Sequence, residues 1–374
     1  MAIDTGKMPK LGFGLMRLPE KDGRIDMDRV CRMVDAYLDA GMNYFDTAYI
    51  YHNGTSESAI GEALAKRHPR DSFMLATKLP AWCLKGKEDR DSVFEEQLRR
   101  CCVDYFDFYL LHSVEDGGNG ETYERLDCYN WGLQKKAEEK IRHFGFSFHG
   151  SPAYLIRVLD AHPEIEFVQI QLNYADWENP VVRSGELYRI LRDRNIPMVI
   201  MEPVKGGTLA SLKPELEQKY REARPDASAA SWALRFVGSL PGVMTILSGM
   251  SSEEQMADNI RTFTNFEPLS EAEKKLVEEV RTVMLNVPQI GCTSCRYCTA
   301  GCPMHISIPD VFRAVNTMTL YGDVFRPRAF YSGVISQGYG RASECVACGQ
   351  CESVCPQHLP IIDLLRDAAA KLDA

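Results

Sequence analysis

The chain has 374 residues, enough for two domains or for one large domain with an appendage. Hydrophobic residues make up 45%, as in a soluble protein with a real core, and a formal net charge of -9 argues against nucleic acid as the main partner, because phosphate binding needs a surplus of Lys and Arg. No apolar run approaches the ~18 residues of a membrane span, and the opening MAIDTGKMPK has no apolar core of a signal peptide, so the expected setting is cytoplasmic, without a membrane partner.

From Lys10 to Phe263 one unit recurs: a short apolar run, then a stretch with helical period. The runs are LGFGLMRL, NYFDTA, FMLATKL, FDFYLLH, HFGFSFH, FVQIQLN, MVIMEP and VMTILSG. They start roughly every 30 residues, the length of a βαβ unit, and are largely apolar, as parallel strands covered by helices are. In the first helical stretch Met27, Val30, Cys31, Val34, Tyr37 and Leu38 form one apolar stripe. In the third, Phe94, Leu98, Cys101 and Cys102 do the same, so both cysteines are expected to be small buried hydrophobes. Eight β/α units in this length predict an α/β fold, a TIM barrel over residues 1–268. An open doubly wound sheet fits less well, because the GFG of the first run is no GxGxxG fingerprint. Ser270 and Glu273 have capping-box spacing, which starts a connecting helix over residues 269–290. Residues 291–374 form a second, mostly helical unit, with one helix carrying Ile308, Val311, Phe312, Val315 and Met318 on a face.

Chemistry in a TIM barrel sits at the C-terminal ends of the strands. That rule selects Asp46 and Tyr51 at and after the second strand, Lys78 at the end of the third and His112 at the end of the fourth. Taken singly, each has a structural explanation; together they would converge on one mouth. With these residues in this order, the DTAxxY element, the opening LGFG and the HFGFS run, residues 8–265 resemble the aldo-keto reductases. The resemblance implies a catalytic tetrad of Asp46, Tyr51, Lys78 and His112. Tyr51 would give its proton to the oxygen of a carbonyl whose carbon accepts hydride, Lys78 would lower the tyrosine pKa, Asp46 would hold Lys78, and His112 would orient the carbonyl. The expected substrate is a small aldehyde or ketone.

The resemblance also implies NAD(P)H. Ser147 and Gln171 would hold the carboxamide, and Ser248, Gly249, Gln255 and Asn259 would contact the nucleotide after the eighth strand, with Met250 in the same stretch. Phe148 stands where the family often has Asn, and Met201 where many members place an aromatic ring. No Lys or Arg lies between Leu247 and Ile260 to meet a 2′-phosphate, and Lys205 is either a substitute cation or a solvated lysine. Trp82 and Trp177 either line an apolar pocket or pack in the core, and Arg17 is a candidate for meeting an acidic substrate.

Thirteen cysteines need a reason, and eight of them follow residue 290. CTSCRYCTAGCP, Cys292 to Pro303, and CVACGQCESVCP, Cys345 to Pro356, both read C-x2-C-x2-C-x3-C-P. This is the bacterial ferredoxin run, in which the fourth Cys ligates the other cluster. The pattern predicts two [4Fe–4S] clusters, one on Cys292, Cys295, Cys298 and Cys355, the other on Cys345, Cys348, Cys351 and Cys302. Structural zinc is the alternative, but zinc sites use separated knuckles rather than three thiolates at x2, x2. His305 and His358 follow each Cys-Pro and either tune a cluster or do nothing. The whole chain resembles the aldo-keto reductases that carry a C-terminal [4Fe–4S] ferredoxin domain.

A nicotinamide moves two electrons at once and a cluster moves one, so joining them normally takes a flavin. No flavin motif is visible, although a barrel mouth can hold one without a fingerprint. Three readings follow: a carbonyl reductase with an added two-cluster electron-transfer domain, whose clusters take part in turnover or serve structure or sensing; a reductase fed through the clusters by a ferredoxin-like partner; or an electron carrier with a degenerate barrel, which the intact tetrad disfavours. Clusters of this kind suggest a cytoplasm low in oxygen.

Overall fold

The computed structural model describes residues 3–373 except Lys7, Gly117, 180–181, Asn265, 287–288, 293–296, Asp323 and 356–358. Two of the residues singled out above, Cys295 and His358, lie outside the described residues. The chain divides into two compact units, Met1–Ser211 with Tyr220–Lys275, and Leu212–Lys219 with Leu276–Ala374.

The first unit is a closed barrel of eight parallel strands: β1 (Leu11–Gly14), β2 (Tyr44–Asp46), β3 (Met74–Pro80), β4 (Phe106–Val114), β5 (Ile141–Phe148), β6 (Phe167–Gln171), β7 (Met198–Met201) and β8 (Val243–Ser248). Each strand pairs with its neighbours in sequence, and β1 closes on β8 with Leu11 opposite Ile246. Each falls within one of the eight apolar runs or overlaps it. Strands β3 and β4 continue two residues past Lys78 and His112, and their pairing runs on to Pro80 opposite His112.

Side chains alternate across a strand, so residues two apart face the same way. Tyr44, Ala76, Phe108, Leu110, Phe167, Val199, Met244 and Leu247 form the buried cluster that fills the barrel. Asp46, Lys78 and His112 lie two residues beyond Tyr44, Ala76 and Leu110 and share their direction, one layer nearer the C-terminal mouth. Gly145 on β5 is needed for this packing: a Cβ there would stand 2.3 Å from the Phe167 carbonyl oxygen.

A second, larger apolar layer lies between strands and helices. The helix Met27–Asp39 starts where the Asp26 carboxylate accepts the Arg29 N–H, and it buries Val30, Met33, Val34 and Tyr37. The helix Glu88–Cys101 buries Phe94, Leu98 and Cys101. Its next residue corrects an expectation: Cys102 is exposed, not buried, because the helix ends at Cys101 and Cys102 turns left-handed at φ 55°. The hairpin Glu20–Lys21/Arg24–Ile25 was not anticipated; Asp22 and Gly23 both take positive φ, as its two-residue turn requires. The predicted capping box is present: Ser270 Oγ accepts the Glu273 N–H and Glu273 accepts the Ser270 N–H, at the start of the helix Glu271–Leu285.

The second unit is mostly helical. Helices Ile308–Tyr321, Phe325–Ser336 and Ile361–Leu372 surround Ile308, Val311, Phe312, Val315, Tyr331, Leu365 and Ala368, with Cys298 and Cys351 in the same core. Met318 packs against its edge. Among the described residues no helix is long and apolar enough to cross a membrane.

Candidate active site

Lys78 sits at the centre of the barrel mouth, 1% exposed. Its Nζ donates to Asp46 Oδ1 at 2.7 Å, to the Thr47 carbonyl at 2.7 Å and to Tyr51 Oη at 3.3 Å. Three donors therefore meet three acceptors, and the ammonium is saturated. The β3 backbone below it is held from outside: Gln97 Nε2 donates to the Lys78 carbonyl at 3.0 Å and to the buried Glu57 carboxylate at 2.7 Å, which also accepts from Thr77 Oγ1.

Tyr51 follows β2 on a short turn whose next residues, His52 and Asn53, both have left-handed φ. His and Asn tolerate this conformation better than most residues. His52 Nε2 accepts the Leu18 N–H at 2.9 Å, so the ring proton lies on Nδ1, facing Glu20 at 3.0 Å. This ties the loop bearing Tyr51 to the loop after β1. His112 stands edge-on to the Tyr51 ring with centroids 6.2 Å apart, and its Nδ1 is buried without a partner among the described residues.

Burial sets the ionisation of these groups. It pushes the Tyr51 pKa up, and the neighbouring Lys78 cation only partly offsets this. The net direction is opposite to the lowering expected from Lys78 alone. Burial pulls Lys78 down, but the charges and hydrogen bonds of Asp46 and Tyr51 outweigh it and the net shift is up. Asp46 is raised by burial against the pull of Lys78. His112 falls well below its ordinary value, through burial and then through Lys78. At neutral pH the site thus presents a protonated phenol, an ammonium and a neutral imidazole.

The remaining candidates ring this centre. Ser147 at the end of β5 is buried, and its Oγ accepts the Ser113 N–H at 2.8 Å, which leaves its own proton uncommitted among the described residues. Gln171 at the end of β6 donates Nε2 to Asp176 Oδ2 at 3.0 Å. Ser248 and Asn259 hold each other at 2.8 Å, and Gln255 Oε1 accepts the Ser251 N–H, so the loop after β8 is closed on itself. Gly249 lies against Arg17, where a Cβ would meet the arginine side chain at 3.3 Å. Met250 and Phe148 are buried, and Met201 is half-buried.

Arg17 pairs with Glu202 at 3.2 Å and Lys205 pairs with Asp176, so both cations already have a carboxylate. Trp82 is 48% exposed beside His112, with ring centroids 5.1 Å apart, and so lines the mouth. Trp177 instead packs against Tyr188 and Phe236, as a core residue does. Asp176 and Glu202 were missed in the sequence, where Asp176 ends no apolar run; Asp176 is placed by its backbone N–H donating to Asn173 Oδ1 at 2.9 Å.

In the second unit, Cys302, Cys345, Cys348 and Cys351 line one pocket, with Pro303, Met304, Ile308, Val346, Ile362 and Leu365 around them. Among the described residues no three ligating side chains are close enough for a single metal ion. Four cysteines around one largely apolar pocket match the ligand set of a cluster. Of the other set, Cys298 is buried, and Cys292 and Cys355 are half-buried against the same core.

Residues 10–282 match the Aldo/keto reductase family, and residues 291–359 match a 4Fe-4S dicluster domain. An uncharacterized oxidoreductase of Bacillus subtilis is 26% identical over 301 residues, covering 72% of this chain and 91% of the relative. An aldo-keto reductase of Mycolicibacterium smegmatis is 32% identical over 267 residues, covering 70% of this chain and 83% of its own. Among solved structures, an aldo-keto reductase from Klebsiella pneumoniae in complex with NADPH superposes with a TM-score of 0.59 at 25% identity, covering 73% of this chain and 91% of that one.

Proposed function

The chain belongs to the aldo/keto reductase family, and from that premise we propose that its barrel reduces an aldehyde or ketone with NAD(P)H through Asp46, Tyr51, Lys78 and His112. The observation that carries this reading is Lys78 Nζ bonded at once to Asp46 and to Tyr51 Oη in the mouth. The nucleotide, when bound, supplies hydride to the carbonyl carbon. Tyr51 gives its proton to the carbonyl oxygen, and Lys78 stabilises the phenolate left behind. Asp46 keeps the lysine charged and in place. The neutral His112 can donate one hydrogen bond to the carbonyl oxygen and so fix its direction. Trp82 covers the substrate side of the mouth.

The NADPH-bound relative supports the same cofactor class here. The fit is chemical as well. A carboxamide needs a donor for its oxygen and an acceptor for its NH2 group, and the Ser147 hydroxyl and Gln171 Oε1 are such a pair. Ser248, Gly249, Gln255 and Asn259 form the loop proposed to face the rest of the nucleotide.

We further propose that the C-terminal unit holds two [4Fe–4S] clusters, one on Cys292, Cys295, Cys298 and Cys355 and one on Cys345, Cys348, Cys351 and Cys302. The grouping of Cys302 with the second motif around one pocket supports this cross-ligation. The dicluster match gives weight to a second reading, in which a ferredoxin-like partner feeds single electrons to a flavin or substrate in the barrel.

Replacing Tyr51 by Phe tests the first reading. Carbonyl reduction should fall at least about a hundredfold, the range for losing a positioned proton donor, while the Kd for NAD(P)H changes less than about threefold, since the phenol hydroxyl is assigned to the substrate. Turnover retained in Tyr51→Phe would sink the assignment.

A further inference from the structure

Each cysteine run is preceded by a short backbone segment, and each segment is held by side chains distant in sequence. Before the first run, the Ile290 N–H donates to Asn316 Oδ1 at 2.7 Å, and Asn316 Nδ2 donates to the Ile290 carbonyl at 2.9 Å. One side-chain amide thus pairs with one main-chain residue through both its donor and its acceptor. The same Ile290 carbonyl accepts the Cys292 N–H at 2.8 Å, so the clamp continues to the first cysteine. Ile290 and Cys292 both pack against the core of this unit. Before the second run, the Ala342 N–H donates to Tyr331 Oη at 2.7 Å and the Ser343 N–H to Asp373 Oδ2 at 3.0 Å. Tyr331 Oη donates in turn to Asp373 Oδ1 at 2.8 Å, and the Ala342 carbonyl accepts the Cys345 N–H at 3.3 Å. The two clamps share no residue.

Asn316 lies inside the helix Ile308–Tyr321, where Asn is one of the weaker helix formers. Its neighbours Thr317 and Thr319 turn back onto the carbonyls of Arg313 and Val315 in their own helix. Asn316 instead reaches a residue 26 positions away. A ligand on a free segment must be ordered when it binds, whereas one on a clamped segment is already placed. Residues behind the ligands therefore decide how firmly a metal centre is kept. We propose that Asn316 is a positioning residue for the cluster of the first run and Tyr331 for the cluster of the second, so that each cluster is retained through its own clamp. This rests on the two-cluster reading above and adds what holds each ligand segment in place.

The test uses the full chain, loaded anaerobically with iron and sulfide. Iron release to an excess of the ferrous chelator ferrozine is followed by absorbance, and the dithionite-reduced protein by electron paramagnetic resonance. Cys292→Ser marks the signal of the first cluster and Cys345→Ser that of the second, whichever way the fourth cysteines cross. Asn316→Ala should speed the release of about half the iron at least about tenfold, the range for losing a group that orients a ligand. The signal marked by Cys292→Ser should change with it, and the other half of the iron should leave at the wild-type rate. Tyr331→Phe, which removes only a hydroxyl, should do the reverse. Asn316→Asp keeps an acceptor for the Ile290 N–H but cannot donate to the carbonyl. It should loosen the same cluster, which keeps the inference testable if the alanine variant fails to fold. Alanine is the better helix former, so a weakened helix does not explain the loss. Thr317→Ala, which removes a side-chain bond within the same helix, should leave both clusters at the wild-type rate. Release quickened from both clusters or from neither by Asn316→Ala or Tyr331→Phe, or quickened as much by Thr317→Ala, would overturn the inference. Wild-type protein holding about four irons or fewer, or a Cys292→Ser variant that alters no signal, would instead overturn the two-cluster reading, and this inference with it.

Discussion

Tyr51 and His112 owe their ionisation to burial more than to each other. A tyrosine raised above its ordinary pKa of about 10 stays protonated throughout the neutral range, as a proton donor must. His112, held well below 6.5, does not gain charge near neutrality. The expected pH profile of kcat/KM for carbonyl reduction follows from those signs. It should be flat from roughly pH 6.5 to 9 and fall only on the alkaline side, as the phenol ionises. A limb descending below pH 7 and removed by His112→Gln would show that the imidazole titrates there, against its neutral assignment. At this scale the sequence was informative where a polar residue ends an apolar run, as Asp46, Lys78 and His112 do. It was silent on Asp176 and Glu202, whose roles arise only when the loops after β6 and β7 meet. It offered Arg17 as a free cation, and the structure pairs it with Glu202.

The elements follow from two periods. Alternation along β2, β3 and β4 puts Tyr44 with Asp46, Ala76 with Lys78, and Leu110 with His112, so the packing of the barrel also aims the polar group. That relation was legible from the apolar runs, as were the helix stripes. Cys102 escaped because a stripe does not show where its helix ends; a left-handed residue at the C-cap turned it outward. The hairpin at Asp22–Gly23 carried a turn signal too short to stand out against the longer runs. One joint offers a stability test. Glu273 combines its cap with a pair to the buried Arg235 at 2.8 Å. Burial alone would raise its pKa, but Arg235 and the Ser270 N–H outweigh that and leave it at about 2. A folded-state pKa below the unfolded value gives stability that is present above pH 4.5 and lost as pH falls toward 2. Glu273→Gln should therefore cost on the order of 2 kcal/mol at neutral pH, read by chemical denaturation, and the gap to wild type should close as the pH is lowered through that window. A gap that stays constant with pH would show that the charge contributes nothing.

At the scale of the whole chain, one barrel and one cysteine-rich unit were readable from motif spacing alone, because ligand spacing is local even when the fold around it is not. What spacing did not display was the helix Phe325–Ser336, which with Ile308–Tyr321 and Ile361–Leu372 builds the core against which Cys298 and Cys351 are buried. Two clusters predict about eight iron atoms per chain. If Cys302 ligates with the second motif, Cys302→Ser should perturb the electron paramagnetic resonance of the cluster on Cys345, Cys348 and Cys351 and leave the other signal in place; a change confined to the cluster of Cys292 and Cys298 would refute the crossing. The central claim is that the barrel itself carries out reduction, by direct transfer to the carbonyl carbon with Tyr51 supplying the proton. It is tested most directly by supplying the anaerobic holoprotein with NAD(P)H deuterated at the transferable position and benzaldehyde as the probe, and analysing the alcohol by mass spectrometry. The account predicts one deuterium retained on the product carbon in wild-type protein and at least about a hundredfold less product from Tyr51→Phe. Alcohol formed with solvent hydrogen in place of the label would contradict it and assign the reduction to single electrons passing through the clusters.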